Sequence, residues 1–97
     1  MAANHKLTAV IKGRVIQKIE NKPGIVLITF SDGSLMKVKV SSEPVGETTD
    51  KAVKAVRQHG TELDLDFEDG TTLQLETIEA TSCVMLRDKV GVLEYAD

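Results

Sequence analysis

Cys83, His5 and His59 are the residues from which a nucleophile and its base would be drawn, and the sequence keeps them apart. His5 falls in an N-terminal stretch, residues 1–6, that reads as a loose tail. His59 falls at the end of a predicted helix. Cys83 sits in the apolar run Ser82-Cys83-Val84-Met85-Leu86. A thiol in such company is a small core hydrophobe, and burial raises its pKa rather than activating it. No Cys/His pair has the spacing of a zinc site. The sequence therefore assigns no catalytic residue, no cofactor and no metal ligand.

Charged side chains are plentiful enough to deserve the same question. Asp64, Asp66 and Glu68 alternate along one segment, which puts successive carboxylates about 6.6–7 Å apart on one side of a strand. Such a row could hold a weak cation or share acid–base work. Their alternation with Leu63, Leu65 and Phe67 already accounts for all three as the solvated face of a half-buried strand. The cations Lys12, Arg14, Lys18, Lys37 and Lys39 form a basic strip that could contact a phosphate backbone. Single-strand binders add exposed aromatic side chains for stacking. Here Phe30 and Phe67 face the core by register, which leaves Tyr95.

Net charge is −3 over 97 residues, and it is unevenly placed. Residues 1–46 carry seven cations and three anions; residues 47–97 carry five cations and twelve anions. The halves are thus +4 and −7. An acidic total argues against nucleic acid as the first partner, and the asymmetry favours contact between a basic surface and an acidic one.

The elements that must position these groups are two hairpins. Residues 26–40 and 63–77 match at a shift of 37: Val26/Leu63, Ile28/Leu65, Phe30/Phe67, Asp32/Asp69, Gly33/Gly70, Met36/Leu73 and Val38/Leu75. Each is an alternating apolar run, then Asp-Gly, then a second alternating run, a strong hairpin signal. A two-residue turn would pair Phe30 with Leu35 and send Met36 and Val38 to the wrong face. A three-residue loop, 31–33 or 68–70, pairs Ile28 with Met36 and Leu65 with Leu73, so that every large apolar group shares one face. A slip of one residue would expose them all, so the pattern selects the loop.

Around the hairpins the sequence predicts a long strand over 7–20 bent at Gly13, a turn at Asn21-Lys22-Pro23-Gly24, and a connection over 41–48. A helix is expected over 50–59, capped by Thr48, Thr49 or Asp50, with Ala52, Val53 and Val56 as its apolar stripe. Ser82–Leu86 reads as a strand buried on both faces, residues 87–89 as a turn, and Val90–Tyr95 as a closing strand. The expected fold is α+β in one domain, residues 1–97: a curved antiparallel sheet or partly open barrel of six to seven strands with one helix, ordered βββ-α-ββββ.

The function expected from this layout is a small non-enzymatic module that binds a protein partner, or itself, through a sheet edge or face. Its candidate surface is Lys12, Arg14, Lys18, Leu27, Leu35, Lys37 and Lys39. Nucleic acid bound along the basic N-terminal strands is the alternative. The outward Leu27 and Leu35 need a cover, and the helix is the expected one. No apolar run is long enough to span a bilayer. The absence of an N-terminal apolar core and the single cysteine point to the cytoplasm.

Overall fold

The computed structural model describes residues 2–44 and 49–97, with Ala2 and Ala3 described by backbone alone. In chain order the elements are β1 (Ala2–Ala3), α1 (His5–Ile11), β2 (Ile16–Lys22), β3 (Ile25–Phe30), β4 (Leu35–Lys39), β5 (Val53–His59), β6 (Glu62–Phe67), β7 (Thr72–Glu76), β8 (Val84–Arg87) and β9 (Leu93–Ala96). The fold is α+β, with one helix and two antiparallel sheets among the described residues. One sheet has the order β1-β5-β6-β7 and the other β2-β3-β4-β8-β9, and neither closes into a barrel. Isolated bridges join the sheets at two corners, Val15 to Ala52 and Val40 to Thr77. The inner faces of both sheets, with Leu7 and Ile11 of α1, form one hydrophobic cluster.

Both hairpins take the three-residue loop. Ile28 pairs with Met36 and Val26 with Val38 in the first; Leu65 pairs with Leu73 and Leu63 with Leu75 in the second. Phe30 N–H donates to Ser34 O at 2.9 Å and Gly33 N–H to Phe30 O at 3.0 Å, while Phe67 N–H donates to Thr71 O at 2.9 Å and Gly70 N–H to Phe67 O at 3.1 Å. Gly33 and Gly70 have φ of +89° and +88°, a region a side chain reaches only with strain.

The helix is not where the stripe predicted it. Residues 53–59 are strand β5, and the helix is His5–Ile11. A bulge explains the misreading of β5. Val53 pairs with Phe67 and Ala55 with Asp66, which leaves Lys54 as an extra residue. The extra residue puts Val53 and Val56 on the same inward face, three apart, and that spacing imitates a helical stripe. The same device in β2 leaves Gln17 extra between Ile16, paired with Phe30, and Lys18, paired with Thr29. Ile16 and Ile19 therefore both turn inward, although strict alternation assigns them to opposite faces.

The predicted long first strand is divided between α1 and β2, and of the stretch read as a loose tail, Ala2–Ala3 form β1 and His5 and Lys6 open α1. Asn4 caps α1: its side chain accepts from Leu7 N–H at 3.0 Å and donates to Gln58 Oε1 and Tyr95 Oη at 2.8 and 3.0 Å. Leu7 and Ile11, one turn apart, are fully buried. A helix of seven residues is not stable alone, so its docking on β5 and β9 is what holds it. Of the cap residues proposed for the misplaced helix, Thr48 lies outside the described residues, as does part of the 41–48 connection. The predicted strand over 82–86 is Val84–Arg87, and it is not buried on both faces, because Met85 points outward and is 37% exposed. No helix among the described residues is long and apolar enough to cross a membrane.

Candidate protein-interaction surface

The five-stranded sheet turns its outer face to solvent. Pairing places Glu20, Leu27, Lys37, Met85 and Ala96 in one row across it, and Lys18, Thr29, Leu35, Arg87 and Leu93 in the next. Lys22, Ile25 and Lys39 make a third. Along each strand these residues alternate with the buried Val26, Ile28, Met36, Val38, Val84 and Leu86. Leu27, Leu35 and Met85 are diagonal neighbours in adjacent strands, close enough to form one apolar strip. Leu35 and Met85 are each 37% exposed and Leu93 48%.

The helix does not cover this strip. It packs on β5 and β9 and sends Leu7 and Ile11 into the core between the sheets. The reason lies in its sequence: Leu7, Val10 and Ile11 give it one apolar stripe, and the inter-sheet core takes that stripe.

Of the seven residues predicted for the surface, the structure brings Lys18, Leu27, Leu35, Lys37 and Lys39 onto this face. Lys12 stands apart, exposed at the C-terminal cap of α1. Arg14 is committed inside the molecule. It donates to Glu94 through both terminal nitrogens at 2.8 and 3.2 Å, to Ser34 Oγ at 3.0 Å, and lies 3.4 Å from Asp32. The Glu94 carboxylate raises the guanidinium pKa further above its ordinary value. Lys18 pairs with Glu20 at 2.9 Å, and that contact lowers the Glu20 pKa. Lys37 and Lys39 have no carboxylate within ion-pair distance among the described residues.

Sequence reasoning missed Met85, Arg87 and Leu93. The signal was present as the alternation Val84, Met85, Leu86, Arg87, which a continuous apolar run had masked. Tyr95, the aromatic left for base stacking, is turned inward against the core and holds Asn4.

The other sheet has an acidic outer face, on which Asp64, Asp66 and Glu76 are engaged. Arg57 Nε and Nη2 donate to the two Asp66 oxygens at 2.7 and 2.8 Å, and Thr72 Oγ1 donates to Asp66 at 2.7 Å. Arg57 also lies 3.7 Å from Asp64. The Arg57 hydrogen bonds hold the Asp66 pKa below the usual carboxylate range, whereas burial pushes Asp64 upward. Glu68 belongs to the loop, not to the strand row. Among the described residues no group of His, Cys, Asp and Glu is placed to hold a metal ion. Cys83 is a buried free thiol whose sulfur accepts from Glu79 N–H at 3.4 Å and faces Glu79 O at 3.5 Å. No family model, no curated protein and no solved structure matches the chain.

Proposed function

We propose that this chain is a protein-binding module whose contact surface is the outer face of the five-stranded sheet. The partner surface is acidic with an apolar centre. The observation that carries this reading is Lys37 and Lys39, without internal carboxylate partners among the described residues, beside the strip made by half-buried Leu27 and exposed Leu35 and Met85. Partly exposed apolar side chains rimmed by charge mark interaction surfaces. The two lysines would steer an acidic partner, and the strip would supply the area removed from water.

Two copies related by a two-fold axis through this face would set lysine against lysine, so the favoured partner is a different surface. The acidic face of a second copy offers charge but little apolar area, and Arg57 already takes Asp64 and Asp66. A near-repeat within the chain is consistent with this division of labour. β2–β4 and β5–β7 carry equivalent bulges and loops 37 residues apart, and Arg14–Asp32 at 3.4 Å corresponds to Lys51–Asp69 at 3.3 Å. The two units agree in the groups that build the core and differ in the groups that face out. We read the location as cytoplasmic, with the free Cys83 thiol as support.

The test is a backbone-amide NMR titration with a synthetic peptide that alternates leucine and glutamate. Shifts should gather on Leu27, Leu35, Lys37, Lys39, Met85 and Leu93, weaken with added salt, and vanish in L27D/L35D. Binding that leaves this face untouched overturns the proposal. Tighter, salt-steep binding of a single-stranded oligonucleotide on the same face would transfer the surface to nucleic acid.

A further inference from the structure

We propose that the cavity between the ends of β4, β8 and β9 is a binding site for a small carboxylate carried on an apolar chain. The cavity has a volume of about 340 Å³ and is lined by Lys37, Lys39, Ser82, Val84, Met85 and Ala96, with Cys83 and Asp97 completing it. That volume lies at the small end of ligand pockets, about 300–1,000 Å³, which are mostly apolar with a few convergent polar groups. The backbone beneath it is hydrogen-bonded. Val84 and Asp97 exchange backbone hydrogen bonds at 2.8 and 2.9 Å, and Lys39 N–H donates to Cys83 O at 2.8 Å.

Met85 and Ala96 offer apolar contact to the chain of such a ligand. Lys37 and Lys39 stand two apart on one side of β4, about 6.6–7 Å between Cα atoms, so a carboxylate can accept from both ammonium groups. Neither lysine has a carboxylate partner among the described residues, so binding breaks no internal ion pair. Ser82 stands at the cavity with φ of +62°. A non-glycine residue held there is uncommon, and such positions gather at functional sites. Its hydroxyl makes no hydrogen bond among the described residues and can donate to a ligand. The Cys83 thiol is engaged by Glu79 and contributes wall rather than chemistry. Asp97 is the opposing charge, and it restricts the site to ligands whose carboxylate lies at the lysine side.

The inference shares Lys37, Lys39 and Met85 with the sheet-face proposal, but Leu27 and Leu35 do not line the cavity, so variants there tell the two apart. Sodium octanoate below its micelle concentration, with octan-1-ol and octylammonium as parallel probes, tests it by NMR titration. Octanoate should saturate with shifts confined to residues 37, 39, 82–85, 96 and 97. K37M/K39M should weaken it by about tenfold or more, the equivalent of losing a charge-assisted hydrogen bond. D97N should strengthen it, and L27N/L35N, which removes the apolar strip without adding a carboxylate beside Lys37, should leave it unchanged. Both lysines are exposed, so a wild-type-like spectrum will confirm the fold of the double variant. Octanol binding as tightly as octanoate, an unchanged K37M/K39M, weaker binding to D97N, or shifts spread without saturation would each overturn the site.

Discussion

Gly33 and Lys89 meet so closely that a β-carbon placed on Gly33 would lie 2.8 Å from the Lys89 β-carbon. The first hairpin loop is thereby fitted against the turn between β8 and β9. The corresponding Gly70 has nothing within 4 Å of that position. The two glycines share a left-handed φ, so the pair separates backbone strain from steric contact. G70A should cost about 1–2 kcal/mol, the backbone term alone. G33A should cost that and about 1–3 kcal/mol more from overpacking, because the Lys89 β-carbon cannot swing away as a side-chain tip would. Urea unfolding of both variants measures the difference, and equal losses would show that the turn yields freely.

Arg14 joins three parts of the chain through Ser34, Asp32 and Glu94. E94Q should cost about 1 kcal/mol or less, since both partners are partly solvated. Its clearer signature is local: β9 is an edge strand, and amide hydrogen exchange over 93–96 should accelerate more than exchange in β3.

Asp64 and Asp66 predict opposite responses to acid. The Asp66 pKa is depressed in the folded state by Arg57, so its contribution is present above the unfolded value, about 3.9, and is lost as pH falls through the lower folded value. The Asp64 pKa is raised by burial, so its ionisation costs stability above the folded value, and that cost fades as pH falls through the folded value and is gone below the unfolded one. At pH 7, D66N should destabilise the protein by about 1 kcal/mol, discounted for the partly exposed Arg57. D64N should stabilise it at pH 7, with the gain gone once the wild-type carboxyl is protonated in the folded and the unfolded chain alike. Thermal unfolding between neutral pH and about pH 3 reads both effects, and a loss of stability in D64N at pH 7 would refute the assignment.

The bulge at Lys54 makes a prediction that distinguishes a strand from a helix. K54A changes one exposed side chain and should stay within about 0.5 kcal/mol of wild type. Deleting Lys54 removes the extra residue, so Val53 and Val56 can no longer both face inward. One of them is then exposed or the strand slips, at a cost above about 2 kcal/mol. Urea unfolding compares the two, and similar stabilities would contradict the bulged register.

The two hairpins were legible residue by residue because the constraint is local. Gly33 and Gly70 close the corners, and alternation from Val26 to Val38 and from Leu63 to Leu75 admits one register that keeps a face dry. Of the turn read over Asn21-Lys22-Pro23-Gly24, Pro23 and Gly24 make the corner, while Asn21 and Lys22 are the end of β2. Tertiary structure decided what short apolar segments leave open. Leu7, Val10 and Ile11 suit either a strand or a turn of helix, and Asn4, held by Gln58 and Tyr95 from distant parts of the chain, selects the helix. Val53 and Val56 suit either a helical stripe or a bulged strand, and pairing with β6 selects the strand. Exposure of Leu27 and Leu35 was likewise settled at a distance. Alternation placed them outward, but whether anything lies over them depended on where the helix docked. Burying Leu7 and Ile11 in the inter-sheet core left that outer face open.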